Sequence, residues 1–89
     1  MTTFHAEWSQ RAQKQLKKLD RSISELILRW VHKNLDGCLN PRQHGKALTA
    51  NHAGQWRYRV GDYRLIAEIN DEEIVILILS VGHRKEVYD

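Results

Sequence analysis

Cysteine and long apolar runs are scarce in this chain of 89 residues. The only cysteine, Cys38, excludes an internal disulfide and favours a reducing compartment. The longest apolar run, residues 74–79, is far shorter than the roughly 20 residues that span a bilayer. Residues 1–8 lack the apolar stretch of a signal peptide, so the sequence predicts a cytoplasmic protein without a membrane segment.

Motifs of several common enzyme classes are also missing. The chain has no Gly-rich phosphate loop of the Walker or dinucleotide type. Ser80 has no histidine–carboxylate pair that is recognisable in the sequence, which argues against a serine hydrolase. Cys38, His44 and His52 are separated by five and seven residues, and these spacings match no zinc pattern. The sequence therefore predicts no metal site and no cofactor.

Positive charge is distributed unevenly along the chain. The formal net charge is +3 at pH 7, from 14 Lys and Arg against 11 Asp and Glu. Residues 38–67 hold five cations and a single acid, Asp62. The five cations are Arg42, Lys46, Arg57, Arg59 and Arg64. Such a basic segment favours an anionic partner, either a nucleic acid or an acidic protein.

Apolar periodicity predicts a short strand followed by a helical hairpin. Residues 2–8 fit the strand, and a first helix follows with Ser9 as its N-cap. The second helix begins at Asp20 or at Ser22, where Ser-Ile-Ser-Glu has the form of a capping box. Its apolar residues recur at the spacing of an amphipathic helix that ends near Gly37. These residues are Ile23, Leu26, Ile27, Trp30 and Val31.

Three strands are predicted in the C-terminal half, after a loop over residues 38–54. Apolar and polar residues alternate on both sides of Gly61-Asp62, which is a two-residue hairpin signal. Residues 74–81 are almost wholly apolar, as expected of a strand that is covered on both faces. We therefore expect one α+β domain over residues 1–89, of order β-α-α-β-β-β. In this fold the helical hairpin packs on a small, mostly antiparallel, twisted sheet.

The hairpin signal determines which side chains face each other. With Gly61 and Asp62 in the turn, Arg59 lies directly opposite Arg64, and directly opposed residues project from the same face. Arg57 lies two residues before Arg59 and joins this face. The other face is apolar and is expected to belong to the core. It consists of Trp56, Tyr58, Val60, Tyr63, Leu65 and Ala67.

The crowded arginines indicate a binding function. Like charges directly opposed in a sheet are destabilising, by roughly a few tenths of a kcal/mol or more. A sequence selected only for stability is not expected to place them so. A bound phosphate would remove the repulsion and match the fork geometry of arginine. The alternative is that each arginine is solvated or paired with an acid such as Glu68.

The end of the last strand is expected to lie beside the arginines, because an antiparallel strand finishes near the start of its neighbour. The residues that leave this strand include His83, Arg84 and Tyr88. All three are expected to reach the arginine face. The alternatives are an ordinary surface position for His83 and an aromatic clamp on the core for Tyr88.

Two segments resemble the signature of RelE-type toxins in the RelE/ParE superfamily. They are Trp56-Arg-Tyr-Arg-Val-Gly-Asp-Tyr-Arg64 and Ser80-Val-Gly-His-Arg-Lys-Glu-Val-Tyr88. The Lys-rich stretch 15–19 is similar too, so the resemblance spans nearly the whole chain. It implies a RelE-like fold and the toxin of a type II toxin–antitoxin system. This toxin would be a ribosome-dependent, metal-independent mRNA endoribonuclease that uses the RNA 2′-hydroxyl as nucleophile and inhibits translation.

The N-terminal part of the resemblance is common to the whole superfamily and leaves an alternative open. ParE-type toxins share the fold and poison DNA gyrase by binding, without cutting RNA. The arginine face and the tail residues Arg84 and Tyr88 argue against this alternative.

The resemblance also implies roles for the basic residues. Arg64 would stabilise the transition state and Arg84 would act as general acid. Arg57 and Arg59 stand where the best-known members have lysine. Because arginine keeps its proton, it is a poor general base, and both residues are assigned to phosphate binding.

Most of the remaining roles, and the partners, follow from the same resemblance. Tyr88 would be the general base, with His83 as the runner-up because histidine titrates near neutral pH. Lys46 and Lys85 are also assigned to phosphate binding, on their charge and not on the resemblance. The implied partners are a cognate antitoxin, the ribosome and mRNA, with a toxin–antitoxin complex that binds operator DNA. No membrane contact and no cofactor are implied.

Overall fold

A computed structural model describes residues 2–84 of the chain. The elements in this range are β1 (His5–Trp8), α1 (Gln10–Lys17), α2 (Arg21–Asn34), β2 (Lys46–Ala47), β3 (Trp56–Val60), β4 (Tyr63–Asn70) and β5 (Val75–His83). Two short 3₁₀ helices, Pro41–Gln43 and Ala50–His52, flank β2. Between residues 2 and 84 there is no helix with the length and apolarity needed to cross a membrane.

The strands form one mixed sheet in the order β1-β5-β4-β3-β2. β3, β4 and β5 are a consecutive antiparallel meander, while β1 pairs with β5 in parallel. The predicted α+β fold, with two helices and a mostly antiparallel sheet, is confirmed. The two-residue strand β2 was not predicted, because residues 38–54 were expected to form a loop. It adds to the outer edge of β3.

The helices cover one face of the sheet and bury the apolar side of the β3–β4 hairpin. Ile27 and Val31 of α2 belong to the same core as Tyr58 and Leu65, and none of the four is more than 3% exposed. Leu26 was predicted to share the buried stripe of α2 but is 49% exposed. The apolar stripe that reaches the core is therefore narrower than the sequence pattern indicated.

The first helix begins where the sequence predicted, and the structure shows which of two predicted starts the second helix uses. Ser9 caps α1, and its Oγ accepts the Ala12 N–H at 3.1 Å. Asp20 is the N-cap residue of α2, so the capping box at Ser22 is wrong. The backbone carbonyl of Asp20 instead accepts the first N–H groups of the helix.

Two aromatic residues of β3, the buried Tyr58 and the half-buried Trp56, bind the segment that precedes β2. The Tyr58 hydroxyl donates to the Pro41 carbonyl oxygen at 2.7 Å, and Trp56 Nε1 donates to the His44 carbonyl oxygen at 2.6 Å. Burial raises the pKa of Tyr58 well above its ordinary value, so the phenol keeps its proton and donates. These bonds hold residues 41–44, which include the first 3₁₀ helix, against the sheet.

Gly45 lets β2 approach β3 closely. Its φ is +80°, and a Cβ at this position would collide with the carbonyl oxygen of Arg57 and crowd Trp56 Nε1. Only glycine meets both conditions without strain. The next residue, Lys46, is thereby brought opposite Arg57.

Candidate nucleic-acid interface

Four cationic side chains share one face of the sheet. Arg59 pairs directly with Arg64, as predicted, and Lys46 pairs directly with Arg57. Directly opposed residues project from the same face, and so do residues two apart on one strand. We call Lys46, Arg57, Arg59 and Arg64 the cationic face. It lies on the side of the sheet opposite to the helices, because the intervening residue Tyr58 points into the core.

The four cations differ in their exposure to water. Lys46 and Arg59 are exposed, whereas Arg57 and Arg64 are half-buried. The Nε atoms of Arg57 and Arg64 and the Nη1 atom of Arg64 are shielded from solvent. A charge that water screens less interacts more strongly with an anion. The charges of Arg57 and Arg64 are therefore screened less by water than those of Lys46 and Arg59.

The end of β5 borders the cationic face, as predicted. Gly82 is directly opposite Arg64, and because it has no side chain it leaves the space beside Arg64 unobstructed from that position. The Arg84 N–H donates to the Asp62 carbonyl oxygen at 2.9 Å. The backbone of Arg84 is thus fixed against the hairpin turn, next to the arginine pair.

His83 lies on the other side of the sheet. It pairs with Tyr63, and the two rings meet edge to face with their centroids 5.5 Å apart. Consecutive residues of a strand point to opposite faces, so Tyr63 and His83 face away from Arg64. The prediction that His83 reaches the arginine face is therefore wrong. Strand β5 continues through His83 instead of ending at Val81, and this alternation turns the ring away.

Arg42, one of the five cations of the basic segment, is not part of the cationic face. Its Nη1 and Nη2 donate to Oδ1 and Oδ2 of Asp71, both at 2.9 Å. These hydrogen bonds lower the pKa of the Asp71 carboxyl below its ordinary value. The pair joins the segment before β2 to the β4–β5 turn, and the Arg42 charge is compensated there.

Two further candidates from the sequence, Tyr88 and Lys85, lie outside the described residues. In the described part of the chain, no group of three or more His, Cys, Asp or Glu side chains could hold a metal ion. Burial raises the pKa of the Cys38 thiol, which disfavours the reactive thiolate.

The position of Lys46 could not be read from periodicity. Lys46 was a candidate because of its charge alone, and a two-residue strand is too short to show alternation. The available signal was the pair of glycines, Gly45 and Gly54, that bracket residues 46–53. A segment between two glycines and followed by a strand is compatible with a hairpin. Such a hairpin would have placed Lys46 near Arg57.

The chain is similar to known toxins in sequence. Residues 6–88 match the family model described as ParE toxin of type II toxin–antitoxin system, parDE. The chain is 34% identical over 77 residues to Toxin RelG of Mycobacterium tuberculosis, and the match covers 86% of each chain.

Solved structures have the same fold. A chain of the toxin–antitoxin complex RelBE2 from Mycobacterium tuberculosis matches with a TM-score of 0.84 and 30% identity, covering 93% of this chain and 100% of that one. The isolated RelE toxin of E. coli matches with a TM-score of 0.69 and 20% identity, covering 91% and 84%. Because the E. coli RelE toxin is only 20% identical to this chain, that similarity concerns the fold alone.

Proposed function

Because this chain belongs to the RelE/ParE superfamily of type II toxin–antitoxin toxins, we propose that it is an endoribonuclease that cuts mRNA on the ribosome in the cytoplasm. The observation that carries the proposal is the cationic face, where Arg59 opposes Arg64 and Lys46 opposes Arg57. Directly opposed like charges are destabilising in a sheet, and a polyanion bound across them would offset this. An RNA backbone supplies phosphates at a spacing that several cations can bind together.

The proposed reaction uses the RNA's own 2′-hydroxyl. Its oxygen bonds to the adjacent phosphorus while the bond to the 5′-oxygen breaks, giving a 2′,3′-cyclic phosphate and a free 5′-hydroxyl. Arg64 would stabilise the extra negative charge on the phosphate in the transition state. Its partly shielded guanidinium supports this role. Arg57, Arg59 and Lys46 would bind the neighbouring phosphates.

Proton transfer falls to the residues at and beyond the end of β5. Arg84, fixed next to the hairpin turn, would protonate the departing 5′-oxygen. Tyr88 would take the 2′-hydroxyl proton, and the contact of His83 with Tyr63 supports Tyr88 over His83 in this role. Lys85 would bind phosphate. Neither arginine nor tyrosine is an efficient acid or base near pH 7, so the ribosome would supply the remaining rate by holding mRNA in an attack-ready shape.

An antitoxin is the second proposed partner. Similar proteins were solved as toxin–antitoxin complexes, among them RelBE2 and the archaeal RelE–RelB complex of Pyrococcus horikoshii, the latter at 25% identity and a TM-score of 0.71. A cognate antitoxin would bind this chain and shield the cationic face with acidic side chains. The complex would then bind operator DNA.

Gyrase poisoning is the alternative function, because the matching family model is described as a ParE toxin. Inhibition by binding to gyrase requires no group that transfers a proton or stabilises a phosphorane. The position of Arg84, fixed at the hairpin turn next to Arg64, favours RNA cleavage over this alternative.

The test adds the purified protein to a translating extract and maps mRNA 5′ ends. We expect the wild type to cut within codons occupied by the ribosome. Arg64→Ala should lower the cleavage rate about 10²- to 10³-fold, as expected when a preorganised charge is removed. The matched control is Arg29→Ala, which removes an equal charge from an exposed position on α2 and should leave the rate unchanged.

Two results would contradict the proposal. Intact mRNA together with trapped gyrase–DNA breaks would assign the protein to the gyrase poisons. Cleavage by Arg64→Ala at the wild-type rate would remove the cationic face from the reaction.

A further inference from the structure

The outer edge of β5 lacks a strand partner along its last residues. β1 pairs with β5 only from His5↔Val75 to Trp8↔Ile78, while β5 continues to His83. In the structure of residues 2–84, no strand pairs with the outer edge of residues 79–83. Helix α1 follows β1 after Ser9 alone and packs against this part of β5.

Two side chains, one from the N-cap residue of α1 and one from its second half, form hydrogen bonds with the backbone of this edge. Ser9 Oγ donates to the Leu79 carbonyl oxygen at 2.9 Å, and the Val81 N–H donates to Gln15 Oε1 at 2.7 Å. Val81 is only 3% exposed, so water cannot easily replace Gln15 as the acceptor. A buried N–H without an acceptor is strongly disfavoured. Gln15 therefore fixes the backbone of β5 at Val81.

The held segment is the one that borders the cationic face. On the inner side of β5, Gly82 pairs with Arg64, and the Arg84 N–H reaches the hairpin turn. The β4–β5 register shifts between Ile66 and Ala67, and such an irregularity interrupts the ladder. Four ladder pairs to β4, from Ile66↔Ser80 to Tyr63↔His83, hold the segment beyond the irregularity on its inner side. On its outer side the segment is held by the hydrogen bond that the Val81 N–H donates to Gln15 and by the bond of Ser9 to Leu79.

We infer that Gln15 is a positioning residue of the RNA-cleaving site, a role that rests on the proposed function. Gln15 does not belong to the cationic face and need not touch RNA. By holding Val81, Gln15 sets the position of the β5 end relative to Arg64. The position of Arg84 follows from that of the β5 end. Because rate falls steeply when reacting groups are displaced, its loss reduces the maximal rate of cleavage more than the binding of the ribosome.

The test compares three substitutions on one helix. Gln15→Met keeps the length of the side chain but removes the acceptor, whereas Gln15→Glu keeps an oxygen that accepts the Val81 N–H. The matched control is Gln13→Met, because Gln13 also bonds to a strand backbone, donating from Nε2 to the Trp8 carbonyl oxygen at 3.0 Å. That bond lies on β1, away from the β5 end. The measurement is single-turnover cleavage of mRNA on programmed ribosomes.

The expected result separates rate from binding. Gln15→Met lowers the maximal rate about tenfold to a hundredfold, on the scale reported for displacements near 1 Å, with the half-saturating concentration changed less than about twofold. Gln15→Glu and Gln13→Met stay within about twofold of the wild type in both quantities. A merely structural loss would lower the fraction of active protein and leave the rate constant of that fraction unchanged.

Amide hydrogen exchange gives a readout that is independent of activity. In Gln15→Met the Val81 amide exchanges at least about tenfold faster than in the wild type and the Arg84 amide resonance shifts, because a protecting hydrogen bond is lost. Neither change occurs in Gln15→Glu. If the wild type does not cut ribosome-bound mRNA, the proposed function fails, and these two amides still decide whether Gln15 fixes the β5 end.

Several outcomes would overturn the inference. One is a wild-type maximal rate in Gln15→Met despite faster exchange at Val81. Another is an equal loss of rate in Gln15→Glu, since the acceptor would then be irrelevant. If Gln15→Met does not fold, Gln15→Asn shortens the acceptor by one methylene group and takes its place. A wild-type maximal rate in Gln15→Asn, together with faster exchange of the Val81 amide, would then overturn the inference.

Discussion

The two faces of the β3–β4 hairpin alternate along the same strands but satisfy different requirements. On the helix-covered face, Tyr58 and Leu65 oppose each other and are fully buried, so they stabilise the fold. On the other face, Arg59 opposes Arg64, and two like charges opposed in this way do not stabilise the ladder by themselves. Neighbouring residues of one hairpin therefore meet two different environments, a buried apolar one and a charged one, and the proposed function assigns partner binding to the second. The following predictions test this separation.

The largest effect on stability is expected on the helix-covered face. Leu65→Ala removes a fully buried side chain and leaves a cavity, so the free energy of unfolding should fall by about 2–5 kcal/mol. Urea unfolding measures this change. A loss of less than about 1 kcal/mol would mean that the core tolerates the cavity and that the two faces differ less than their burial indicates.

A smaller effect on stability is expected at Gly45, which lets β2 approach β3 beside the cationic face. Gly45→Ala places a Cβ against the Arg57 carbonyl oxygen at a positive φ, and the free energy of unfolding should fall by about 1–3 kcal/mol. Thermal unfolding measures the change. Gly54→Ala is the control, because Gly54 has a φ of +91° but open space around its Cβ position. Equal losses would show that backbone conformation alone, and not the close approach of β2, requires glycine.

On the cationic face a substitution should stabilise the protein. Arg59→Gln removes the repulsion with Arg64, so the free energy of unfolding should rise by about 0.2–1 kcal/mol. RNA affinity should fall, and its dependence on salt should become shallower. Urea unfolding and RNA binding at several salt concentrations measure both effects. A loss of stability would indicate that the arginine pair supports the fold.

The smallest effect concerns the ion pair that removes Arg42 from the basic surface. Arg42 lowers the pKa of Asp71, so the pair stabilises the fold above the ordinary carboxyl pKa of 3.8 and loses this effect as pH falls below it. Asp71→Asn should therefore lower the melting temperature slightly at pH 7 and not at pH 2. Because both side chains are largely exposed, the difference should be small. A difference that persists at pH 2 would assign the loss to another cause.

Local sequence patterns were sufficient for the centre of the site. Gly61 and Asp62 form a two-residue turn, and this turn alone sets the pairing of Arg59 with Arg64. The apolar face followed from the alternation around the same turn. The pattern also placed the end of β5 beside Arg64, because a meander leaves little freedom in how its third strand returns.

Other features depend on contacts between distant residues and had no local signal. The bond between Gln15 and Val81 joins positions 66 residues apart. The parallel pairing of β1 with β5 and the pair of Arg42 with Asp71 also arise only when the chain is folded. His83 was misplaced because the apolar run ends at Val81 and the next residue, Gly82, is a weak strand former, so the last strand was expected to end there.

The most direct test of the separation between the two faces uses adjacent residues. Two quantities are measured for Arg64→Ala and, in parallel, for Leu65→Ala. They are the rate of cleavage of ribosome-bound mRNA, at a temperature where each variant is folded, and the free energy of unfolding. Arg64→Ala should cut about 10²- to 10³-fold more slowly while its free energy of unfolding changes by less than about 1 kcal/mol. Wild-type cleavage by folded Arg64→Ala, or a loss of stability as large as that of Leu65→Ala, would contradict the account.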